Sequence, residues 1–185
     1  LHPRQPGTLE RRHRSMTRSR SKSLYAAYGS NLHPRRLRER IRSAALRGTS
    51  FLHNYTLQFH KRGQDDSAKC GISECGQGLH VAVYEIDDAD RKALDAIEGV
   101  GKGYDVDQIS VPGFGKCFTY VAARTHIDEC LQPFDWYREM VLLGCLRHAF
   151  PAPYCERIAA LPVIEDPEPA RRERNWRTVE LLRRG

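Results

Sequence analysis

A chain of 185 residues can bury a core of its own as one domain, and it contains no apolar run near the roughly 18 residues of a membrane span. Of its 30 Lys/Arg and 23 Asp/Glu, residues 1 to 22 hold seven basic (Arg4, Arg11, Arg12, Arg14, Arg18, Arg20, Lys22) and one acidic (Glu10), leaving 23 and 22 for the rest. The body is near neutral, which leaves specific nucleic-acid binding without a basis outside that segment.

Residues 1–22 are rich in Arg, Ser and Pro and show no helical or strand period, so they are expected to stay a disordered basic tail ahead of a single domain over 23–185. Their Arg and Ser content is like that of an organelle transit peptide, but the apolar face is missing. With Leu1 at the head and a methionine at Met16, residues 1–15 are expected to be vector-derived or an over-extended reading frame. A cytoplasmic protein is the expectation.

Leu24 to Tyr28 is an apolar, aromatic run of strand length that ends at Gly29. Pro34 then suits the first turn of a helix, in which Leu37, Ile41 and Ala45 recur on one side. Phe51 to His60 predicts a loosely alternating strand, Lys69 to Glu74 a short edge strand, and Leu79 to Ile86 a stronger one. Asp87 or Asp88 can cap the next helix, whose Ala93, Leu94 and Ile97 share a face. Gly99 stands where a helix end favours a left-handed residue, so Glu98 closes that helix. Tyr104 to Val111 and Lys116 to Ala123 read as a hairpin. Phe134, Tyr137, Val141 and Cys145 mark one face of a helix, and Tyr154 to Leu161 and Ala170 to Arg184 predict two more. The implied class is α+β, a small central β-barrel or strongly curved sheet flanked by helices.

Six cysteines (Cys70, Cys75, Cys117, Cys130, Cys145, Cys155) offer only one close pair, Cys70 and Cys75. Reduced, mostly buried thiols are expected, with no metal site and no cofactor. The histidines show no spacing that suggests ligands or a catalytic group.

Hydrolase elbows, Walker loops and zincin motifs are absent. What remains is Tyr28-Gly29-Ser30-Asn31-Leu32, a tight turn between strand and helix whose amides could cradle a carboxylate. By composition alone it also fits an ordinary turn in which Asn31 satisfies local backbone. Glu98, at a helix C-terminus where dipole and free carbonyls disfavour negative charge, is expected to have a raised pKa suited to a general base.

These residues resemble a known pattern. Tyr-Gly-Ser-Asn-Leu after a short hydrophobic strand is similar to the signature of the γ-glutamylcyclotransferase family. Ala93 to Val100, followed by Gly103-Tyr104, resembles the family's helix-terminal Glu-Gly segment. The Tyr120 strand and the Trp136-Tyr137-Arg138 helix are similar to its C-terminal part. The resemblance, over residues 24 to 162, implies a pocket between the loop and the glutamate. It makes Glu98 the catalytic base and Tyr28, Gly29, Ser30, Asn31 and Leu32 substrate-binding residues, with Tyr104, Tyr120 and Tyr137 as further pocket residues. It departs at His80-Val81, where members often have an aromatic residue and glycine, and in the Cys70 to Cys75 loop.

The implied activity is cyclisation of a γ-glutamyl amino acid or peptide, a small-molecule substrate, to 5-oxoproline with release of the amine. The alternatives are a γ-glutamylamine cyclotransferase acting on γ-glutamyl-ε-lysine or a biosynthetic γ-glutamyl amine, and a non-catalytic binder of the same fold. A glutathione-specific enzyme fits less well, because that group resembles Tyr-Gly-Ser-Leu plus an aromatic residue and Asn31-Leu32-His33 stands here. A homodimer is compatible with all of these readings.

Overall fold

Strand β1 (Lys22–Ala27) is the middle strand of a five-stranded sheet, and its last residues are buried because neighbours cover it on both sides. The structure, a computed structural model, describes residues 21–185. The expected basic tail lies, up to residue 20, outside the described residues. At its far end that expectation is corrected: Lys22 and Ser23 extend the ladder opposite Asp87 and Ile86, so the strand starts ahead of Leu24.

The sheet order is β2-β5-β1-β7-β6, formed with β2 (Ala45–Leu52), β5 (Leu79–Asp87), β6 (Tyr104–Val111) and β7 (Gly115–Ala122). Strand β1 runs antiparallel to β5, with Tyr25 opposite Tyr84, and parallel to β7, with Tyr25 opposite Phe118. The β6–β7 hairpin is antiparallel throughout. Strands β3 (Thr56–Arg62) and β4 (Ala68–Ser73) form a separate two-stranded ribbon.

The expected small barrel is corrected in this respect: among the described residues no ladder joins the edge strands β2 and β6. The sheet curls toward closure through side chains instead. Ser50 Oγ donates to Pro112 O at 2.8 Å, and Phe114, in the hairpin turn, comes within 3.0 Å of where a Cβ on Gly48 would sit.

Helix α1 (Pro34–Arg40) has Pro34 in its first turn, and the Arg35 N–H donates to Nδ1 of the capping His33. It is shorter than the period predicted: Ala45 opens β2, and the expected strand over 51–60 is two strands separated by a turn. Helix α2 (Asp88–Glu98) buries only Leu94, leaving Ile97 exposed, because it lies against the sheet along a narrow stripe. Helices α3 (Asp135–Arg147), α4 (Ala152–Ala159) and α5 (Pro169–Arg183) pack together on the other part of the chain, and α3 buries Tyr137, Val141 and Cys145 as the spacing predicts. Among the described residues no helix is long and apolar enough to cross a membrane. All six cysteines are free, with Cys75 and Cys130 exposed.

Candidate active site

The turn after β1 is closed by the Leu32 N–H donating to Gly29 O at 3.0 Å, so the Leu32 amide is already spent. No protein acceptor is seen for the Ser30 and Asn31 amides among the described residues. Gly29 allows close approach: a Cβ there would lie 3.0 Å from Cys70 Cβ and 3.3 Å from its sulfur. Leu32 points the other way from the expectation. It is fully buried, its carbonyl accepts from Tyr84 Oη at 2.5 Å and pairs with His148 Nε2 at 2.7 Å, and it does not line the cavity. The physical reason is that the fourth residue of a closed turn already faces back into the core.

Helix α2 stops abruptly at Glu98. Gly99 takes the left-handed conformation (φ 74°, ψ 46°), its N–H donates to Ala96 O, and the Val100 N–H reaches Asp95 O at 3.0 Å. That closure projects Glu98 toward the Gly29 turn. Its Oε1 accepts from Asn31 Nδ2 at 2.8 Å and from an Arg40 guanidinium nitrogen at 2.9 Å. The same Arg40 nitrogen donates to Asn31 Oδ1 at 3.0 Å, and Asn31 Nδ2 also reaches Tyr25 Oη at 3.1 Å. Oε2 has no protein donor among the described residues. Asn31, expected to touch substrate, lines the pocket, and its side chain is engaged by the carboxylate, Arg40 and Tyr25.

Three residues were missed in the sequence. Arg40 pairs with Glu98 across 58 positions of sequence, and Tyr25 and Cys70 line the pocket with the expected residues. No local spacing announces Arg40. Tyr25 shares the alternation of the strand that ends in the turn and could have been found from it. Cys70 lies on β4, in the Cys70 to Cys75 stretch where the sequence departs from the family pattern.

The pocket is walled by Tyr25, Tyr28, Tyr104, Tyr120 and Tyr137 together with the turn, Cys70 and Glu98. Tyr28 Oη donates to Tyr120 O, Tyr104 Oη to Cys70 O at 2.5 Å, and Tyr120 Oη to Asp95 at 2.7 Å, while Tyr137 Oη accepts from the Cys70 N–H at 3.0 Å. Burial pushes all five hydroxyls above the ordinary phenol range, and the nearby Glu98 charge adds to each. Burial likewise pushes the Cys70 thiol up to about 12. These groups stay neutral near pH 7, which leaves Glu98 as the one Asp or Glu side chain lining the pocket.

The inner space is about 20 Å³, room for one oxygen-sized group. Ser30, Glu98, Tyr104 and Tyr137 also border an outer cleft of about 410 Å³. His80 packs instead against Phe51, Phe150 and Tyr154, away from the pocket. Among the described residues no three His, Cys, Asp or Glu side chains gather as metal ligands.

Residues 25–138 match the family model described as gamma-glutamyl cyclotransferase, AIG2-like. Among solved structures, the fold is similar to one described as a gamma-glutamyl cyclotransferase (TM-score 0.71, 24% identity, 80% of this chain and 92% of that one). It is also similar to an uncharacterized protein from Homo sapiens (TM-score 0.69, 25% identity, 77% of this chain and 89% of that one). A third likeness is to YkqA from Bacillus subtilis (TM-score 0.66, 20% identity, 79% of this chain and 57% of that one). No curated protein matches the chain.

Proposed function

The chain belongs to the AIG2-like gamma-glutamyl cyclotransferase family, and from that premise we propose that it cyclises a γ-glutamyl compound to 5-oxoproline and releases an amine, with Glu98 as the acid/base. The observation that carries this reading is the asymmetry of the Glu98 carboxylate. Oε1 is held by Asn31 and Arg40, while Oε2 is left for a proton from outside the protein.

A γ-glutamyl compound brings its own nucleophile, the α-amine, which is protonated at neutral pH. Glu98 takes one ammonium proton, and the freed nitrogen attacks the γ-carbonyl carbon to close a five-membered ring. The carbonyl electrons move onto oxygen, where the Ser30 and Asn31 amides are the available donors; the same amides could hold the α-carboxylate. The proton on Glu98 passes to the outgoing nitrogen, the ring nitrogen gives its remaining extra proton to the freed carboxylate, and the oxyanion re-forms the carbonyl as the carbon–nitrogen bond breaks; the departing amine then carries that second proton away as its ammonium. One carboxylate serves both halves, so no covalent enzyme intermediate is needed. The tyrosine-walled inner end admits one oxygen of the substrate and the outer cleft the remainder, an arrangement that favours a curled substrate with the amine near the carbonyl, and such positioning supplies much of the acceleration.

The test is a panel of γ-glutamyl amino acids, peptides and amines, with 5-oxoproline and free amine measured together. Glu98→Gln is expected to keep the far-ultraviolet circular dichroism of the parent and to lose turnover by at least about 100-fold, because the amide keeps the shape but takes no proton. Binding of the panel without turnover by the parent protein would instead favour the non-catalytic binder.

A further inference from the structure

The outer cleft carries more positive charge than the cyclisation uses. Arg36, Arg40, Lys61, Lys69 and Lys102 line it, against the single carboxylate Glu98. Arg40 is spent on Glu98 at 2.9 Å and Lys69 on Asp65 at 2.8 Å, while Lys102 is exposed to solvent.

Arg36 and Lys61 are different. Lys61 is only 5% exposed, its Nζ stands 4.6 Å over the ring of Tyr104, and no carboxylate pairs with it among the described residues. Arg36 has a buried Nε without a partner and makes no ion pair among the described residues. The two belong to unconnected elements, β3 and α1, yet border the same space as Glu98. Withdrawing a cation from water without a counter-charge is among the costliest things a fold can do. The cost is visible here: burial, and then Lys69, pushes Lys61 below its ordinary value, and burial, and then Arg40, brings Arg36 down to about 10. A ligand that brings negative charge into the cleft would remove it.

Resting on the cyclotransferase reading, we propose that Lys61 and Arg36 receive an anionic group on the outgoing amine, so that the preferred substrates are γ-glutamyl conjugates of amines bearing carboxylates, best of all two. The glutamyl head sets one oxygen into the inner end beside the Gly29 turn and otherwise lies in the outer cleft at Glu98, with the leaving side extending along that cleft to the two cations. A dicarboxylate leaving group offers one negative charge to each. A cationic amine such as a diamine would add a third positive charge to the pair and is the worst match.

The test is a charge series at the leaving side, read as kcat/KM for 5-oxoproline release: γ-glutamylcadaverine, γ-glutamylglycinamide, γ-glutamylglycine and γ-glutamylaspartate. Each added negative charge is expected to raise kcat/KM by about tenfold, in that order. Lys61→Met and Arg36→Met should each cut the ratio of γ-glutamylaspartate to γ-glutamylglycinamide from about 100 to about ten, and Lys61→Arg should retain it. A flat series in the parent protein overturns the inference and leaves the cyclotransferase reading standing. So does an equal loss on all four compounds in the variants, which would assign the two cations to the glutamyl head. Absence of 5-oxoproline from every compound removes the cyclotransferase reading and this inference with it. Should the variants fail to fold, the series in the parent protein decides alone.

Discussion

Asn31 is the residue whose role changes most once its partners are known. The family resemblance implies a substrate ligand, whereas its side chain is engaged by Glu98, Arg40 and Tyr25. A group that holds a base acts on kcat; a group that holds substrate acts mainly on KM. Asn31→Ala is therefore expected to lower kcat by about 100-fold through a misaimed carboxylate, with KM little changed. Steady-state kinetics decide the matter, and a raised KM at preserved kcat would return Asn31 to substrate contact. Arg40 belongs to the same arrangement, and its ion pair with Glu98 is half-shielded from solvent rather than a surface pair of small effect.

Among the elements, α3 braces the turn. Gly144 brings its backbone against the loop so closely that a Cβ there would lie 2.5 Å from Leu32 Cβ and 3.2 Å from the His33 nitrogen. In an open helix Gly→Ala would add about 1 kcal/mol of propensity. Here overpacking against neighbouring backbone, a cost of about 1–3 kcal/mol, wins. Gly144→Ala is expected to lower the melting temperature and, by shifting the Gly29 turn, to lower kcat/KM as well. Thermal melts and kinetics on the same sample check both; a higher melting temperature with unchanged kinetics would mean that α3 does not support the turn. The α2 terminus depends instead on backbone conformation: Gly99 is left-handed at φ 74°, while a Cβ there would meet only Lys102 Cβ at 3.9 Å.

For the whole molecule, the helical part is fastened by one buried carboxylate. Asp166, 2% exposed, accepts from Trp136 Nε1 at 3.0 Å, from Arg171 at 2.8 and 2.5 Å, and from the Glu168 N–H at 3.0 Å. It thereby joins the start of α5 to the first turn of α3, next to Tyr137. The Arg171 hydrogen bonds hold its carboxyl down to about 2. A depressed carboxylate contributes stability that is complete above the unfolded value of about 4 and is lost as the pH falls through the folded value. Melting temperature is thus expected to fall between about pH 4 and pH 2 in the parent protein. In Asp166→Ala it should be lower at pH 7, by roughly 6–12 °C for a loss of about 3 kcal/mol, and should fall less over that acid range. An unchanged acid response in the variant would remove Asp166 as the fastening.

The sequence by itself determined the α+β class, the strand-turn-helix that carries Gly29, the helix that ends on Glu98, and the hairpin over 104–122, because each is written in local period and in residues with special backbone preferences. It also placed Glu98 and the turn at the two ends of one expected pocket, by resemblance. Only the tertiary structure decided that the Asn31 side chain is engaged by Glu98 and Arg40, that Leu32 turns into the core, that Tyr25 and Cys70 join the pocket, and that Arg40 pairs with Glu98. It also decided that the curled sheet stops short of a closed barrel and that Lys61 and Arg36 share a cleft. The reason is one of range: a period or a cap is settled by neighbours a few residues away, while an ion pair across 58 positions or two unpaired cations on separate elements depend on how finished elements pack.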